Sequence, residues 1–224
     1  MNGIRGLLTD YGGTVDTGGL HWGLLLCSQW QKYIPSLTPA EFFRPYVEAE
    51  KRLPGIIAPD TSFRDTLRMK TYLHSDILGD SHSEEVADAC YRFALGMAQE
   101  ARPWLERIAD RFPIVLVSNF YGNLETVVSE MGLDGLFSAV IDSAQVGIRK
   151  PDPAIWQLGA DALGLDTKEC IAIGDSEKND ILPARAIGCR TARVLAPGLR
   201  SESAADLLGT LPAIAADLLS DQPD

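Results

Sequence analysis

"FPIVLVSNFYGNLETVVSEMG" runs from Phe112 to Gly132 and changes its period halfway along. Ile114, Val115, Leu116 and Val117 form an unbroken apolar run, the pattern of a strand buried on both faces. Leu124, Val127, Val128 and Met131 then recur at helical spacing until Gly132 stops them. A doubly buried strand followed by an amphipathic helix is half of a parallel crossover unit. The alternation continues downstream. Ala139-Val140-Ile141 reads as a strand, and "KPDPAIW" opens a helix with Asp152 as N-cap and Pro153 at its first position. "CIAIGD" (Cys170–Asp175) is a third strand, Asp180 to Ile187 a helix closed by Gly188, and Thr191 to Leu195 a fourth strand. Ile4 to Thr9 supplies one more, so the expected class is α/β with a parallel sheet.

Residues from about 17 to 100 read differently. Thr38-Pro39-Ala40-Glu41 fits a capping box, followed by Phe42, Phe43, Tyr46 and Val47 on one helix face. Ser83 to Gln99 carries Val86, Cys90, Phe93, Ala94 and Met97 at helical spacing, and no convincing strand interrupts the segment. The expected organisation is an α/β core from 1–16 and 101–224, with an all-helical insertion at 17–100 returning near Arg102-Pro103. The residues after Leu219 read as a frayed end.

The 224 residues suffice for such a core with its insertion, and 46% hydrophobic and 23% charged residues is ordinary globular composition. A net charge of -11 argues against nucleic-acid binding through a broad basic surface. Cys27, Cys90, Cys170 and Cys189 form no CxxC pair and lie far from His21, His74 and His82, so they read as buried free thiols. No run approaches the length of a membrane span and Asp10 falls too early for a signal-peptide core, so no membrane partner and a cytoplasmic location are expected.

Ligands of parallel α/β sheets gather at the carboxyl ends of the strands. The first strand ends at Asp10, with Thr14 beyond it; the strand at 114–117 ends at Ser118-Asn119. A later loop carries Arg149-Lys150, and "CIAIGD" ends at Asp175, followed by Ser176 to Asp180. Asp10 and Asp175 are hard oxygen ligands suited to Mg²⁺. Thr14, Ser118, Lys150 and the helix-start amides after Asn119 are candidates to hold a phosphoryl group. A carboxylate beside a phosphorus atom is a candidate nucleophile. An Asp at a strand end is often only a cap or turn residue, but turns do not account for all four ends together.

The segments "DYGGTV", "VSN", "RKPDP" and "GDSEKND" resemble the four motifs of the haloacid dehalogenase-like superfamily, and the helical insertion resembles its C1-type cap. The resemblance implies a three-layer Rossmann-like core with the active site between core and cap. It implies Asp10 as the nucleophile that becomes an aspartyl-phosphate, Ser118 as a phosphate ligand, and Lys150 as the neutralising cation. Asp175 would bind Mg²⁺ directly, Asp180 would orient that ligand shell, and the carbonyl of Gly12 would be a further metal ligand. The substrate would be a small phosphorylated metabolite.

Gly12 departs from the pattern, because family phosphatases usually carry there an aspartate that protonates the leaving alcohol and activates water. Losing general acid–base help costs roughly 10²–10⁴-fold. Asp16, Glu50 and Lys51 are candidate substitutes. The family's phosphonate hydrolases also carry a small residue here and use a cap lysine as a Schiff base, for which Lys32, Lys51 and Lys70 are candidates, each otherwise a solvated helix-face lysine. Dehalogenation needs no metal, yet Asp175 and Asp180 are both present. A degenerate phospho-ligand-binding or scaffold protein is a further alternative. The Gly12-Gly13 pair also has a purely structural reading, as a tight turn out of the core.

Overall fold

The computed structural model describes residues 3–220. Six strands, β1 (Gly6–Thr9), β2 (Ile114–Ser118), β3 (Ala139–Asp142), β4 (Cys170–Gly174), β5 (Arg190–Val194) and β6 (Leu207–Gly209), form one sheet. Their order is β3-β2-β1-β4-β5-β6, with every neighbouring pair parallel. The order reverses direction at β1, and the crevice beside that switch is where such sheets bind ligands.

Alternation along the central strands builds three layers. Leu7, Ile114, Leu116, Ile171 and Ile173 pack into one core cluster with Leu105, Ile108, Val127 and Ile214. Leu8, Val115, Val117 and Ala172 face the other side, against Ile155, Trp156 and Ala160. Burial on both faces is why these strands read as continuous apolar runs. The α/β, Rossmann-like parallel sheet is therefore the observed fold.

Between β1 and β2 lie four helices: α1 (Trp22–Trp30), α2 (Pro39–Arg52), α3 (Phe63–Leu78) and α4 (Ser83–Ala109). Thr38 caps α2 in the expected box: its Oγ1 accepts from the Glu41 N–H at 3.3 Å and its own N–H donates to Glu41 Oε2 at 2.9 Å. The expected return near Arg102-Pro103 falls within α4, away from a helix end. α4 continues through it, because the buried stripe of Ala94, Ala98 and Ala101 runs on into Leu105 and Ile108.

The remaining helices are α5 (Leu124–Glu130), α6 (Ser143–Val146), α7 (Ala154–Leu163), α8 (Leu182–Ala186) and α9 (Leu211–Ser220). A π-type turn over Glu177–Ile181 precedes α8, where a plain helix from Asp180 was expected. It turns the Asp180 side chain back onto Gly174, whose missing Cβ would lie 2.5 Å or less from Asp180 Cβ, Cγ and Oδ2. β6 was not expected. Ser220 is still helical, and the end after it lies outside the described residues. All four cysteines are buried and free. Among the described residues no helix is long and apolar enough to cross a membrane.

Candidate active site

Asp10 stands one residue beyond β1, its N–H donating to the Ile173 carbonyl of β4 at 2.8 Å. Oδ1 of its carboxylate accepts from Ser118 Oγ at 3.0 Å and from Lys150 Nζ at 2.6 Å. Oδ2 accepts from Thr14 Oγ1 at 3.1 Å. Lys150 Nζ also donates to Asp180 Oδ1 at 2.7 Å, and Asp180 Oδ2 accepts from the Ser176 N–H at 2.9 Å. Asn119 holds the Lys150 loop by two bonds. Its amide donates to the Lys150 carbonyl at 3.0 Å and its carbonyl accepts from the Lys150 N–H at 2.8 Å.

Asp10, Asp175 and Asp180 each offer an oxygen, all within 4.8 Å of one another. Three carboxylates against the one Lys150 ammonium leave two negative charges, the charge of one divalent cation. Burial, then the carboxylates of Asp10 and Asp180, push Asp175 up to about 8. Burial also raises Asp180, to about 6, although Lys150 opposes it. For Lys150 burial favours the neutral amine, but Asp10 and Asp180 outweigh it and hold the ammonium above its ordinary value. Among the described residues the Asp175 carboxylate accepts no hydrogen bond, and neither does the Gly12 carbonyl. Three clustered carboxylates, with the Asp175 oxygens left undonated, are the hard oxygen donors that Mg²⁺ takes.

Gly13 and Gly12 differ in what they need. Gly13 has φ +97°, and a Cβ there would meet the Asp175 carboxylate at 2.5–2.8 Å, so glycine lets Asp175 approach the loop. Gly12 has no positive φ, and a Cβ there would meet only Trp22 Cδ1 and Nε1, at 3.9 Å. Its backbone does not require glycine. Asp16 is fully buried behind this loop, accepting from the Gly13 N–H at 2.7 Å and Trp22 Nε1 at 2.9 Å. Burial pushes its carboxyl up to about 7, but it does not line the site.

A cavity of about 330 Å³ opens over Asp10, bounded on the helical side by His21, Trp22, Tyr46, Glu50 and Lys70. Asp10, Gly12, Ser118, Asn119, Lys150, Asp175 and Asp180 all line it, whereas Thr14 lies behind the Asp10 carboxylate. The three candidate lysines of the helical segment separate here. Lys51 is exposed beside Glu48, and Lys32 lines a different hollow with Tyr33 and Arg92. Lys70 is buried in the cavity wall, donating to Glu50 Oε1 at 2.7 Å and Tyr121 Oη at 2.6 Å. Tyr121 and Trp22 are cavity residues that sequence reading did not single out. Each looks like an ordinary core aromatic until the tertiary structure turns it inward.

A family model for haloacid dehalogenase-like hydrolases matches residues 41–188. Over 85 residues the chain is 38% identical to a phosphoglycolate phosphatase of Yersinia pestis, covering 36% of this chain and 35% of that protein. The chain spans about a third of the length of the curated relatives it matches. Its fold is similar to that of a dehalogenase crystallised with an intermediate complex, with a TM-score of 0.67 at 16% identity over 99% of this chain and 100% of that one. It is also similar to a phosphatase from Thermococcus onnurineus, with a TM-score of 0.56 at 19% identity over 96% and 98% of the two chains. A fold shared by both chemistries leaves the reaction to be argued from the site. The matched region spans most of the helical segment and the segments that carry Ser118, Lys150 and Asp175, and on that match the chain belongs to the haloacid dehalogenase-like hydrolases.

Proposed function

We propose that the protein hydrolyses a small phosphorylated metabolite through an aspartyl-phosphate on Asp10, with Mg²⁺ required. The observation that carries this reading is the setting of Asp10. One carboxylate oxygen is gripped by Ser118 and Lys150, the other by Thr14, beside two further acids. Asp10, Asp175, Asp180 and the Gly12 carbonyl would hold the metal, which when bound offsets their charge and that of the phosphoryl oxygens. Asp10 attacks phosphorus, the bond to the leaving oxygen breaks, and water then cleaves the aspartyl-phosphate to release phosphate and restore the carboxylate. Ser118 and Lys150 follow the charge on the phosphoryl oxygens, Thr14 fixes the carboxylate, and Asn119 fixes Lys150 through its backbone. The match to a protein named a phosphoglycolate phosphatase supports phosphoryl chemistry. The same reading divides the chain into a core of 1–16 and 101–224 and a cap of 17–100.

The phosphonate alternative needs a cap lysine that gives up its proton. Lys70 is the candidate in the cavity, and although burial opposes its charge, Glu50 and Tyr46 hold it above the ordinary lysine value. That favours a fixed ammonium over a Schiff-base nucleophile. The decisive assay is hydrolysis of p-nitrophenyl phosphate with Mg²⁺ or with chelator. Turnover is expected only with Mg²⁺, and Asp10→Asn is expected to lower it at least about 10³-fold. Undiminished turnover in that variant would remove Asp10 from the nucleophile role.

A further inference from the structure

The side of the cavity facing the helices is unusual in what it can offer a ligand. Glu50 has both oxygens engaged, Oε1 by Lys70 at 2.7 Å and Oε2 by Tyr121 at 2.8 Å. Tyr121 Oη gives its hydrogen to Glu50 and accepts from Lys70. Of the three ammonium hydrogens of Lys70 two are therefore engaged, and one is left. His21 Nδ1 accepts from the Gly23 N–H at 3.0 Å, and burial pushes the ring's pKa down, so the neutral ring carries its proton on Nε2. Arg149, at the cavity rim, makes no ion pair among the described residues. Lys70, His21 and Arg149 together present donors.

Trp22 links this wall to the reacting centre. Its indole edge lies 3.9 Å from where a Cβ at residue 12 would sit, and Lys70 Nζ lies 5.9 Å from its ring centroid. Residue 12 itself brings no acid, and Asp16, the nearest carboxyl along the chain, is sealed behind the indole. The wall thus presents free donors to negative charge, and its one carboxylate, Glu50, has both oxygens already engaged by Lys70 and Tyr121.

Resting on the phosphoryl-hydrolase reading above, we propose that the substrate is a phosphorylated acidic hydroxyl, foremost an acyl phosphate (a mixed anhydride), whose leaving group departs as an oxyanion into the wall formed by Lys70. The bond from Asp10 to phosphorus forms as the bond from phosphorus to the acyl oxygen breaks. The electron pair leaves with that oxygen, and Lys70 keeps its proton and pairs with the carboxylate. No proton transfer accompanies the step.

The test is kcat/KM in Mg²⁺ for acetyl phosphate, a series of substituted phenyl phosphates and ethyl phosphate. The wild-type protein is expected to favour acetyl over ethyl phosphate by at least about 10³-fold, because nothing at residue 12 protonates an alkoxide. Lys70→Met is expected to lower kcat/KM about 10- to 100-fold, the loss of one charge-assisted hydrogen bond, and to cut deepest for the poorer phenolate leaving groups. A purely structural lysine would lower every member by the same factor, and that uniform loss would overturn its role. Arg149→Gln, at an exposed site, is expected to shift the series in the same direction and keeps the test open if Lys70→Met fails to fold; no shift in Arg149→Gln would then overturn the donor wall. Comparable kcat/KM for acetyl and ethyl phosphate would overturn this proposal while leaving the hydrolase reading intact. Absence of turnover with every one of these phosphates would overturn both.

Discussion

Placing an acid at residue 12 is the most direct probe of the proposed mechanism. In Gly12→Asp the new Cβ meets only Trp22, at an ordinary contact distance of 3.9 Å, and the backbone has no positive φ to strain. The substitution should therefore fold without rearranging β1. Its carboxyl enters the cavity between Asp10 and the indole, where it can protonate a leaving alkoxide and later take a proton from water. Each role is worth roughly 10²–10⁴-fold, or about 3–5 kcal/mol of barrier. The two roles separate by substrate. For ethyl phosphate the first step is limiting, and kcat/KM should rise by at least about 10²-fold. For p-nitrophenyl phosphate the first step needs no acid, so the wild-type protein should release a burst of one p-nitrophenolate per site before slow release of phosphate. In the variant the burst should vanish and kcat should rise, because hydrolysis of the aspartyl-phosphate gains a base. The added carboxylate brings one further negative charge to the cluster once its acids are ionised, so more Mg²⁺ should bind at a given concentration. Rapid-quench measurement of both products reads all of this. A folded, Mg²⁺-binding variant with an unchanged ethyl-to-aryl ratio and an unchanged burst would refute the idea that residue 12 is where the proton shuttle is missing.

Asp175 gives a pH prediction whose sign follows from its raised value of about 8 in the metal-free fold. A carboxyl raised above its unfolded value near 4 favours the fold while protonated, so its contribution is present below about pH 4 and is lost as pH rises to about 8. In chelator, Asp175→Asn should accordingly gain stability over the wild-type protein as pH rises across that window, by thermal denaturation. The stabilisation of wild-type protein by Mg²⁺ should grow over the same range. Lys150→Met leaves the buried carboxylates of Asp10 and Asp180 without their shared cation, and should cost about 3–5 kcal/mol in urea unfolding without Mg²⁺. Gly13→Ala places a methyl against the Asp175 carboxylate and should weaken Mg²⁺ binding in calorimetry by at least about tenfold.

The central strands were legible because Leu7, Leu8, Ile114 to Val117 and Ile171 to Ile173 are buried on both faces and so carry no polar alternation. β6 was not, since Leu207–Gly209 is a three-residue edge with one exposed leucine and no run to detect. The length of α4 was not legible, because a proline inside a helix forgoes a hydrogen bond, a local cost here outweighed at Pro103 by the burial of Leu105 and Ile108. At the candidate site, Asp10, Ser118, Lys150 and Asp175 announce themselves by following strands. Lys32, Lys51 and Lys70 do not differ in sequence pattern. Only the packing of α3 against α2 puts Lys70 beside Glu50, and only the loop after β2 brings Tyr121 to them. Gly12 and Gly13 look equivalent on paper, yet the backbone demands glycine at one and not at the other.

The continuity of α4 has a mechanical consequence. The chain leaves β1 through a tight glycine pair, and a Cβ on Gly19 would lie 2.4 Å from backbone atoms of Leu195 and Ala196, which pins that crossing. It returns along a rod of 27 residues, about 40 Å long. Any swing of α1–α3 over Asp10 must then flex this rod, and Pro103, with no N–H to bond, is its weakest joint. From Pro103 to the start of α4 is about 30 Å, so a bend of only about 10° there would move the far end by about 5 Å. A small elastic deformation in one helix would be geared up into the travel that opens or shuts the mouth of the cavity.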